Sequence, residues 1–313
     1  MPKKPYTKTQ IGRYVDPLTD FGFKLLFGSE PHKDLLIDFL NNLLIGRKHI
    51  IDLVYNKEEY QGPQANFRKS IFDLTCTGQD GEQFIIEVQR VYQHFFKDRA
   101  IYYTSTLIHG QGPKGNKSWD FKLKEVYLIA LMDFAFDDSP PNTYLHRVHL
   151  AEETTGKIFY EKLGYTFIEL PKFNKTEKEL ETGIDRWLYV LTNMAKLKKI
   201  PVFLTKRIFQ QLFNIAEVSK LTKEEYMQYE KSRMAKWDEY AILKTAKERA
   251  MQEGKAEGRA QGKVEGKIEG KIEGKAEVVK NLIQQLGFTD VQAANVAEVS
   301  IDFVKKIREN LEQ

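Results

Sequence analysis

The sequence of 313 residues has one cysteine, Cys76, and no uninterrupted apolar run of the length, about 18 residues, that a membrane-spanning helix needs. A single cysteine excludes an internal disulfide and any metal cluster built from several cysteines. Its position in an alternating stretch predicts a buried, unreactive side chain. The N-terminal segment also lacks the apolar stretch of a signal peptide. We therefore expect a cytoplasmic protein without a membrane partner.

Two further absences bear on which kinds of site the sequence predicts. No GxxxxGK[ST] loop is present, so the sequence does not predict nucleotide hydrolysis. His146 and His149 have the chemistry of zinc ligands, but their odd spacing along a predicted strand places them on opposite faces. With no further Cys or His cluster nearby, a zinc site is not predicted either. The net charge of +4 permits nucleic acid binding without requiring it.

The order of sequence patterns predicts an α/β fold. Residues 16–46 place apolar side chains at helical spacing on both sides of a Gly-Ser-Glu-Pro break, which predicts two helices. From Ile50 onward, short runs rich in β-branched and aromatic residues predict strands: IIDLVYN, SIFDLTCTG, EQFIIEVQR, EVYLIALMDF and YLHRVHLA. Residues 91–112, between the third and fourth of these runs, predict a helix. Strands around one helix are typical of a mixed sheet with helices on its faces.

The strand patterns stop after LGYTFIELPKF, and the rest of the chain predicts helices and a repeat. We divide the sequence into residues 1–175, a helical region at 176–252, a repeat at 253–277 and a C-terminal segment at 278–313. This last segment predicts two or three short helices with breaks at Gly287 and near Ser300. It resembles either a helix-turn-helix module or a dimer cap, and we favour the cap because few basic residues precede Lys305.

The repeat places glycine at every fourth position from Gly254 to Gly274, with Lys or Arg and usually Glu at fixed places between. In a helix, this period stacks like charges at i,i+4, and each glycine costs about 1 kcal/mol relative to alanine. An isolated helix would therefore be weak, whereas two chains side by side can pair the Lys face of one with the Glu face of the other. A flexible, charge-balanced linker is the alternative. The sequence predicts either a self-association helix or such a linker.

A hairpin at residues 71–90 carries the most informative acids. Asp80-Gly81 is a strong turn pattern between two strand-like runs. Glu87 and Gln89 are two residues apart on the second strand and so share a face, while Asp73 interrupts an apolar run on the first.

A pair of carboxylates on adjacent strands is unfavourable unless something compensates the charge, and a divalent cation does so. Asp73 and Glu87 would supply oxygen ligands, with the backbone carbonyl of Val88 as a third. Mg²⁺, or Mn²⁺, held there would activate water and stabilise a phosphodiester under attack. The alternative is an amphipathic hairpin whose acids face solvent.

The spacing of Asp73, 13 residues and then Glu-Val-Gln is similar to the PD-(D/E)XK nuclease signature. The chain as a whole resembles the recombination-promoting nuclease (Rpn) family, or PD-(D/E)XK nuclease family transposases. The resemblance rests on four segments in order, which together cover nearly the whole chain: DFGFKLLFGSEPHKDLLIDFLNNLL, FDLTCTGQDGEQFIIEVQ, RAIYYTSTLI and the Glu-Gly-Lys repeats. It implies a restriction-endonuclease-like mixed sheet flanked by helices, followed by a helical C-terminal extension.

The sequence departs from this signature at two positions. Phe72 stands where Pro is usual, which the strand tolerates. Gln89 stands where Lys is usual, and a neutral amide can orient water but cannot stabilise negative charge as an ammonium does. The resemblance thus implies four catalytic residues: Asp73, Glu87, Gln89 and Lys24.

Acids and bases around the hairpin complete the expected site. By resemblance, an acid on the first helix assists the metal in many nucleases of this fold, and Asp20, Asp34 and Asp38 have the right type. We expect Asp20 to join Asp73, Glu87 and Val88 at the metal, although it is also a good N-cap for the first helix. The following helix offers basic residues, any of which can replace the missing Lys or bind phosphate: Arg90, His94, Lys97 and Arg99.

The resemblance implies a Mg²⁺-dependent DNA endonuclease that promotes recombination, acts with mobile elements or serves in phage defence. The alternative is a catalytically degenerate protein that binds DNA or self-associates, which Gln89 favours. We expect DNA as a partner and a homo-oligomer formed through the C-terminal helices. Some members of the family also make the C-terminal part alone from an internal start, for which Met227, Met234 and Met251 are candidates here.

Overall fold

The computed structural model describes residues 12–56, 59–60, 70–71, 73–112 and 120–311. Phe72, the residue at the usual Pro position, lies outside the described residues. The chain divides into two compact units, Met1–Ala241 and Ile242–Gln313. No helix in the part that the structure describes is long and apolar enough to cross a membrane.

The first unit contains the strands. They are β1 (Leu53–Tyr55), β2 (Glu59–Tyr60), β3 (Ser70–Ile71), β4 (Leu74–Gly78), β5 (Gln83–Gln89), β6 (Val126–Met132), β7 (Leu145–Ala151) and β8 (Ile158–Glu169). Six of these strands form a mixed sheet in the order β1-β4-β5-β6-β8-β7, and β2 pairs with β3 separately. β6 runs parallel to β5 and β8, and the remaining pairs are antiparallel.

The α-helices follow the sequence patterns closely. They are α1 (Asp20–Phe27), α2 (Lys33–Leu43), α3 (Phe96–Gly110), α4 (Gly183–Asn193), α5 (Arg207–Ile215), α6 (Lys223–Leu286), α7 (Asp290–Ala297) and α8 (Ile301–Leu311). Short 3-10 helices lie at Glu30–His32, Leu170–Lys172, Glu177–Glu179, Met194–Lys196 and Val218–Lys220. The α/β class, the mixed sheet and the helical C-terminal region are therefore confirmed.

The central strand β6 separates two apolar cores. All seven of its residues are buried, as expected for a parallel strand covered on both faces. Ile129 and Leu131 join the core formed with α1, α2, α4 and α5, whereas Leu128 and Ala130 join the core beneath α3. Alternation along the strand thus assigns each side chain to one layer.

Trp187 of α4 is the centre of the larger core. It is fully buried and packs against the rings of Phe27, Phe39 and Phe209 at centroid distances of 5.8, 5.7 and 5.1 Å. Its indole N–H donates to Asp38 Oδ2 at 2.7 Å, which gives Asp38 a structural partner within the helices.

The first part of α6 packs against the sheet unit. The Tyr229 hydroxyl accepts a hydrogen bond from the Asp16 backbone N–H at 2.8 Å, and Lys236 Nζ lies 2.8 Å from Asp16 Oδ2. Farther along, Glu239 pairs with Arg90, and the Tyr240 hydroxyl donates to Asp133. Residues 229–240 therefore form part of the first unit.

The second unit contains the rest of α6 with α7 and α8. Its small core is made of Val279, Ala293, Ala294, Ala297 and Val304. The whole glycine repeat lies within α6. The predicted breaks are also present: α6 ends at Leu286 before Gly287, whose φ is +67°, and α8 begins after Ser300.

Three boundaries differ from the sequence prediction. The helix predicted from residue 91 begins at Phe96, because Gln89 and Arg99 hold the backbone of Val91 and the side chain of Gln93 in an irregular segment. Strand β8 starts at Ile158, several residues earlier than its predicted core, since it pairs with the whole of β7.

The third difference is the N-cap of α1. The cap is Thr19 instead of Asp20: Thr19 has extended backbone angles, and its hydroxyl accepts from the Gly22 N–H at 3.0 Å. Asp20 is the first helical residue.

Candidate active site

The β4–β5 hairpin brings the two predicted acids together. Its turn contains Asp80 and Gly81, and Gly81 takes a φ of +86°, a conformation that glycine adopts without strain. In the register, Leu74 pairs with Ile86, so Asp73, one residue before the strand, comes opposite Glu87. The predicted turn and the pairing of its two strands are confirmed.

Backbone amides fix both carboxylates. The Asp73 N–H donates to Glu87 Oε1 at 3.3 Å, and the Val88 N–H donates to Asp73 Oδ2 at 2.8 Å. Each acid therefore uses one oxygen to hold the opposite strand. The second oxygens, Asp73 Oδ1 and Glu87 Oε2, are left for other contacts.

Burial makes this pair electrostatically unfavourable. Glu87 is 6% exposed. Desolvation and then the neighbouring charge of Asp73 raise the pKa of Glu87 to about 8. Desolvation also raises the pKa of Asp73, against the Val88 N–H that lowers it. A buried and a half-buried carboxylate that both hold their protons more tightly than usual are a common feature of functional sites.

Arg99 of α3 is the basic residue that reaches this pair. Its guanidinium lies 3.9 Å from Glu87 Oε2 and donates to the side-chain carbonyl of Gln89. A second N–H of Arg99 donates to Gln93 Oε1 at 2.7 Å, and its guanidinium lies over the ring of Phe96 at 4.9 Å. The position of the guanidinium is thus set by neighbours on three sides.

Gln89 has both ends of its amide engaged. Its Oε1 accepts from Arg99, and its Nε2 donates to the Val91 carbonyl at 2.8 Å. In this arrangement the side chain orients Arg99 and the segment that follows β5.

Asp20 and Lys24 of α1 lie close enough to Asp73 to act on its charge. They form an i,i+4 ion pair at 3.4 Å. The charge of Asp20 contributes to raising the pKa of Asp73, while Lys24 and Arg99 act to lower it. The structure thus gathers Asp20, Lys24, Glu87 and Arg99 within electrostatic range of Asp73.

The donors present fit a divalent cation at Asp73 and Glu87. In the part of the chain that the structure describes, each of these carboxylates has one oxygen that accepts no backbone hydrogen bond, and carboxylate oxygens are the ligand type that Mg²⁺ prefers. Among the described residues, no group of three or more His, Cys, Asp or Glu side chains is placed to hold a metal ion. The backbone carbonyl of Val88 and the carboxylate of Asp20 remain predicted as further ligands, and the charge of Asp20 acts to raise the pKa of Asp73.

The four basic residues predicted to bind nucleic acid have different positions. Arg99 faces the acids, as described. Arg90 is half-buried and pairs with Glu239 at 3.0 Å, and Lys97 pairs with Asp138 at 2.8 Å. His94 is exposed, with its ring against Tyr92.

Sequence reasoning did not find Gln93 or the contribution of α6. Gln93 has no pattern of its own and is recognised only through its bond to Arg99. Glu239 is about 150 residues from its partner Arg90, as the two residue numbers show. No local periodicity reports a contact of that sequence separation.

The raised pKa of Glu87 predicts how the stability of the metal-free protein depends on pH. The unfolded chain releases this proton near pH 4.5, the folded protein near pH 8, so rising pH between these values favours unfolding. Thermal denaturation in EDTA should show a melting temperature that falls across this window. Glu87→Gln should melt higher than the wild type at pH 8, by about 2–4 °C or more. The exposed Glu153→Gln is the control, and a Glu87→Gln protein less stable than the wild type at pH 8 would contradict the prediction.

A family model described as PD-(D/E)XK nuclease family transposase matches residues 17–246. No curated protein and no solved structure matches the chain. The matched region contains the whole sheet and all the residues of the site described above. With most of its length covered in this way, the chain belongs to the PD-(D/E)XK nuclease family transposases.

Proposed function

We propose that this protein is a metal-dependent DNA endonuclease that hydrolyses phosphodiester bonds with Mg²⁺, or Mn²⁺, at Asp73 and Glu87. The observation that carries the proposal is the pair of facing carboxylates, Glu87 buried and Asp73 half-buried, with Arg99 as a neighbouring cation. Nucleases of this superfamily generally use divalent metal ions. The cation would polarise the scissile phosphate and lower the pKa of the attacking water.

In this proposal each side chain has a distinct role. Asp73, Glu87 and the carbonyl of Val88 hold the metal. Arg99 takes the place of the usual Lys and stabilises the charge that develops on the phosphate. Gln89 is a positioning residue that holds Arg99, because its amide is already engaged at both ends. Lys24, paired with Asp20, supplies a second positive charge that acts on Asp73.

DNA is the proposed substrate, and Arg90, His94 and Lys97 are the proposed phosphate contacts beside Arg99. Arg90 and Lys97 now pair with Glu239 and Asp138, so DNA would have to exchange with these carboxylates. DNA breakage of this kind suits recombination, the movement of mobile elements or phage defence, and it suits the cytoplasm as the compartment.

A second candidate is a protein that binds DNA without cutting it. The observation in its favour is Gln89, which leaves the strand without the usual ammonium. A band shift without cleavage in either metal would support this candidate over the first.

We also propose that the chain self-associates through α6. In the repeat, exposed Lys side chains occupy one column and exposed Glu side chains another, so like charges repel within one helix and opposite charges attract between two. Met227, Met234 and Met251 all lie on α6, so a product begun at any of them would keep the repeat, α7 and α8. Such a product is a proposed partner of the full chain.

Cleavage of supercoiled plasmid provides the direct test. Purified wild-type protein should nick or linearise the plasmid in Mg²⁺ or Mn²⁺ and not in EDTA. Asp73→Ala and Glu87→Ala should each reduce the rate at least about 100-fold, since the metal contributes several kcal/mol of transition-state stabilisation. Glu153→Ala, an exposed acid on the β7–β8 turn, should cut normally. Unchanged cleavage by the Asp73 and Glu87 variants would reject the proposal.

Substitutions at Arg99 and Gln89 test whether Arg99 takes the place of the usual Lys on β5. Arg99→Ala should lower the cleavage rate about 100-fold, the usual effect of removing one charge-stabilising donor. Adding Gln89→Lys to Arg99→Ala should restore part of the rate by returning a cation to β5. Lys157→Ala, on an exposed loop, is the control. If the double variant is as inactive as Arg99→Ala, Arg99 does not substitute for the Lys.

The mass of the full chain in solution tests self-association. Light scattering over a range of protein concentrations should show a dimer or larger species at low salt and a shift toward monomer at high salt, because salt screens pairing between exposed charges. A strictly monomeric chain at every concentration would exclude the proposed assembly.

A further inference from the structure

A cavity lies on the same face of the sheet as Glu87, at the flank of α3 away from Asp73 and Glu87. Its volume is about 370 Å³, within the range of small-molecule sites. The walls are largely aromatic and include Phe136, Tyr165 and Phe167. Polar groups come from Lys97, Asp138, Ser139 and His146. Among the described residues, none of these wall residues contacts the carboxylate of Asp73 or Glu87.

The register of the sheet gives the distance between the two sites. Glu87 pairs with Ala130, Ala130 with Phe167, and Phe167 with His146, so the four residues form one row across four strands. Three strand spacings of about 4.8 Å place His146 about 14 Å from Glu87. This distance equals about four nucleotides of a stacked strand, which rises about 3.4 Å per nucleotide, and fewer of an extended one.

A smaller cavity of about 150 Å³ lies at the N-terminus of α3. It shares Lys97, Phe136 and Asp138 with the larger cavity. It also reaches Gln93, which accepts a hydrogen bond from Arg99 at the active site. The rings of Tyr92 and Phe95 are exposed along the same segment.

The larger cavity has a rigid wall. Glu169, fully buried, accepts hydrogen bonds from the Phe136 N–H and the Ser139 hydroxyl, both at 2.9 Å, and pairs with Lys172 at 2.6 Å. These bonds hold the loop after β6 in place. His146 Nε2 is buried without a hydrogen bond and lies 3.5 Å from Glu169 Oε1. The cavity is therefore formed before any ligand arrives.

Charge and shape define the ligand. Lys97 and Asp138 pair at 2.8 Å, so together they add no net charge to the rim of the cavity. The same Lys97 lies over the Phe136 ring at 4.8 Å. Flat aromatic walls with a few donors and acceptors at the edge suit a neutral planar heterocycle. DNA bases have this chemistry, and a base within a duplex cannot enter because it is stacked and paired.

We propose that this cavity binds an unpaired nucleobase of a DNA strand whose scissile phosphate lies at Asp73 and Glu87, an assignment that rests on the proposed nuclease function. The strand passes around the N-terminus of α3, past Tyr92 and Phe95. The substrate class is thus DNA with unpaired nucleotides beside the cleavage site, such as a single strand, a flap or a gap.

Binding in EDTA tests the cavity independently of cleavage. The probes are a single-stranded oligonucleotide carrying the fluorescent base 2-aminopurine, a blunt duplex of equal length, and dAMP. The full-length wild type should bind the single strand more tightly than the duplex and change the 2-aminopurine fluorescence through stacking. If dAMP also binds and competes, the cavity takes free nucleotides as well as bases in a strand, and nucleobase binding stands.

Val148→Trp fills the cavity from β7, and Leu150→Trp is its matched control on the same strand. The two positions are 44% and 47% exposed, and only Val148 lines the cavity. Val148→Trp should weaken single-strand binding about 5- to 100-fold, the range for loss of one stacked base, and leave duplex binding unchanged. Leu150→Trp should bind like the wild type. If Val148→Trp misfolds by circular dichroism, Ile101→Trp fills the same cavity from α3.

Wild-type binding of the single strand by folded Val148→Trp and Ile101→Trp would overturn the proposal, as would equal wild-type affinity for single strand and duplex. Plasmid cleavage separates this failure from that of the nuclease function. A protein that cuts plasmid but binds all probes alike lacks the base site. A protein that never cuts, yet shows the Val148-dependent preference for single strands, retains the base site without the nuclease.

Discussion

The parallel pairing of β6 with β5 and β8 is the constraint on which the rest of the first unit depends. Because both neighbours run in the same direction, Glu87, Ala130 and Phe167 form one row across the sheet. The next row on the same face consists of Gln89, Met132 and Glu169. A slip of one residue would move Glu87 to the opposite face, away from Arg99. Complete burial of β6 opposes such a slip, since each of its side chains already fits one of two cores.

The two carboxylates of the candidate active site are held in place although their negative charges repel each other. Backbone N–H groups of the facing strand segments donate one hydrogen bond to Asp73 and one to Glu87. Arg99 offsets part of the repulsion, but at 3.9 Å it is a neighbour more than a hydrogen-bond partner of Glu87. A preorganised carboxylate pair of this kind is less stable than an apolar one, which is the usual relation between stability and function at a catalytic site.

Patterns of short range could be predicted from the sequence, and contacts of long range could not. The Asp80-Gly81 turn, the alternation that puts Glu87 and Gln89 on one face and the breaks in the C-terminal helices all follow from neighbouring residues. The N-cap of α1 was assigned one residue late, because Thr19 and Asp20 both have suitable side chains and only backbone angles distinguish them. The binding of Arg99 by Gln89 and the pairing of Arg90 with Glu239 depend on how α3 and α6 pack, which no local spacing encodes.

The glycines of α6 are unexpected in a helix of 64 residues, since each lowers helix propensity. A side chain added at any of them would meet none of the described residues within 4 Å, so close packing within the described chain does not account for their small size.

The proposed replacement of a lysine on β5 by an arginine on α3 bears on how such sites are recognised. A motif written as residue letters along one strand requires a basic side chain two positions after Glu87 and would score this chain as defective. Written as positions in space, the motif requires a cation beside the second carboxylate, and the guanidinium of Arg99 meets it from another element. For sequences of this type, the nine residues between Gln89 and Arg99 are therefore part of the proposed motif.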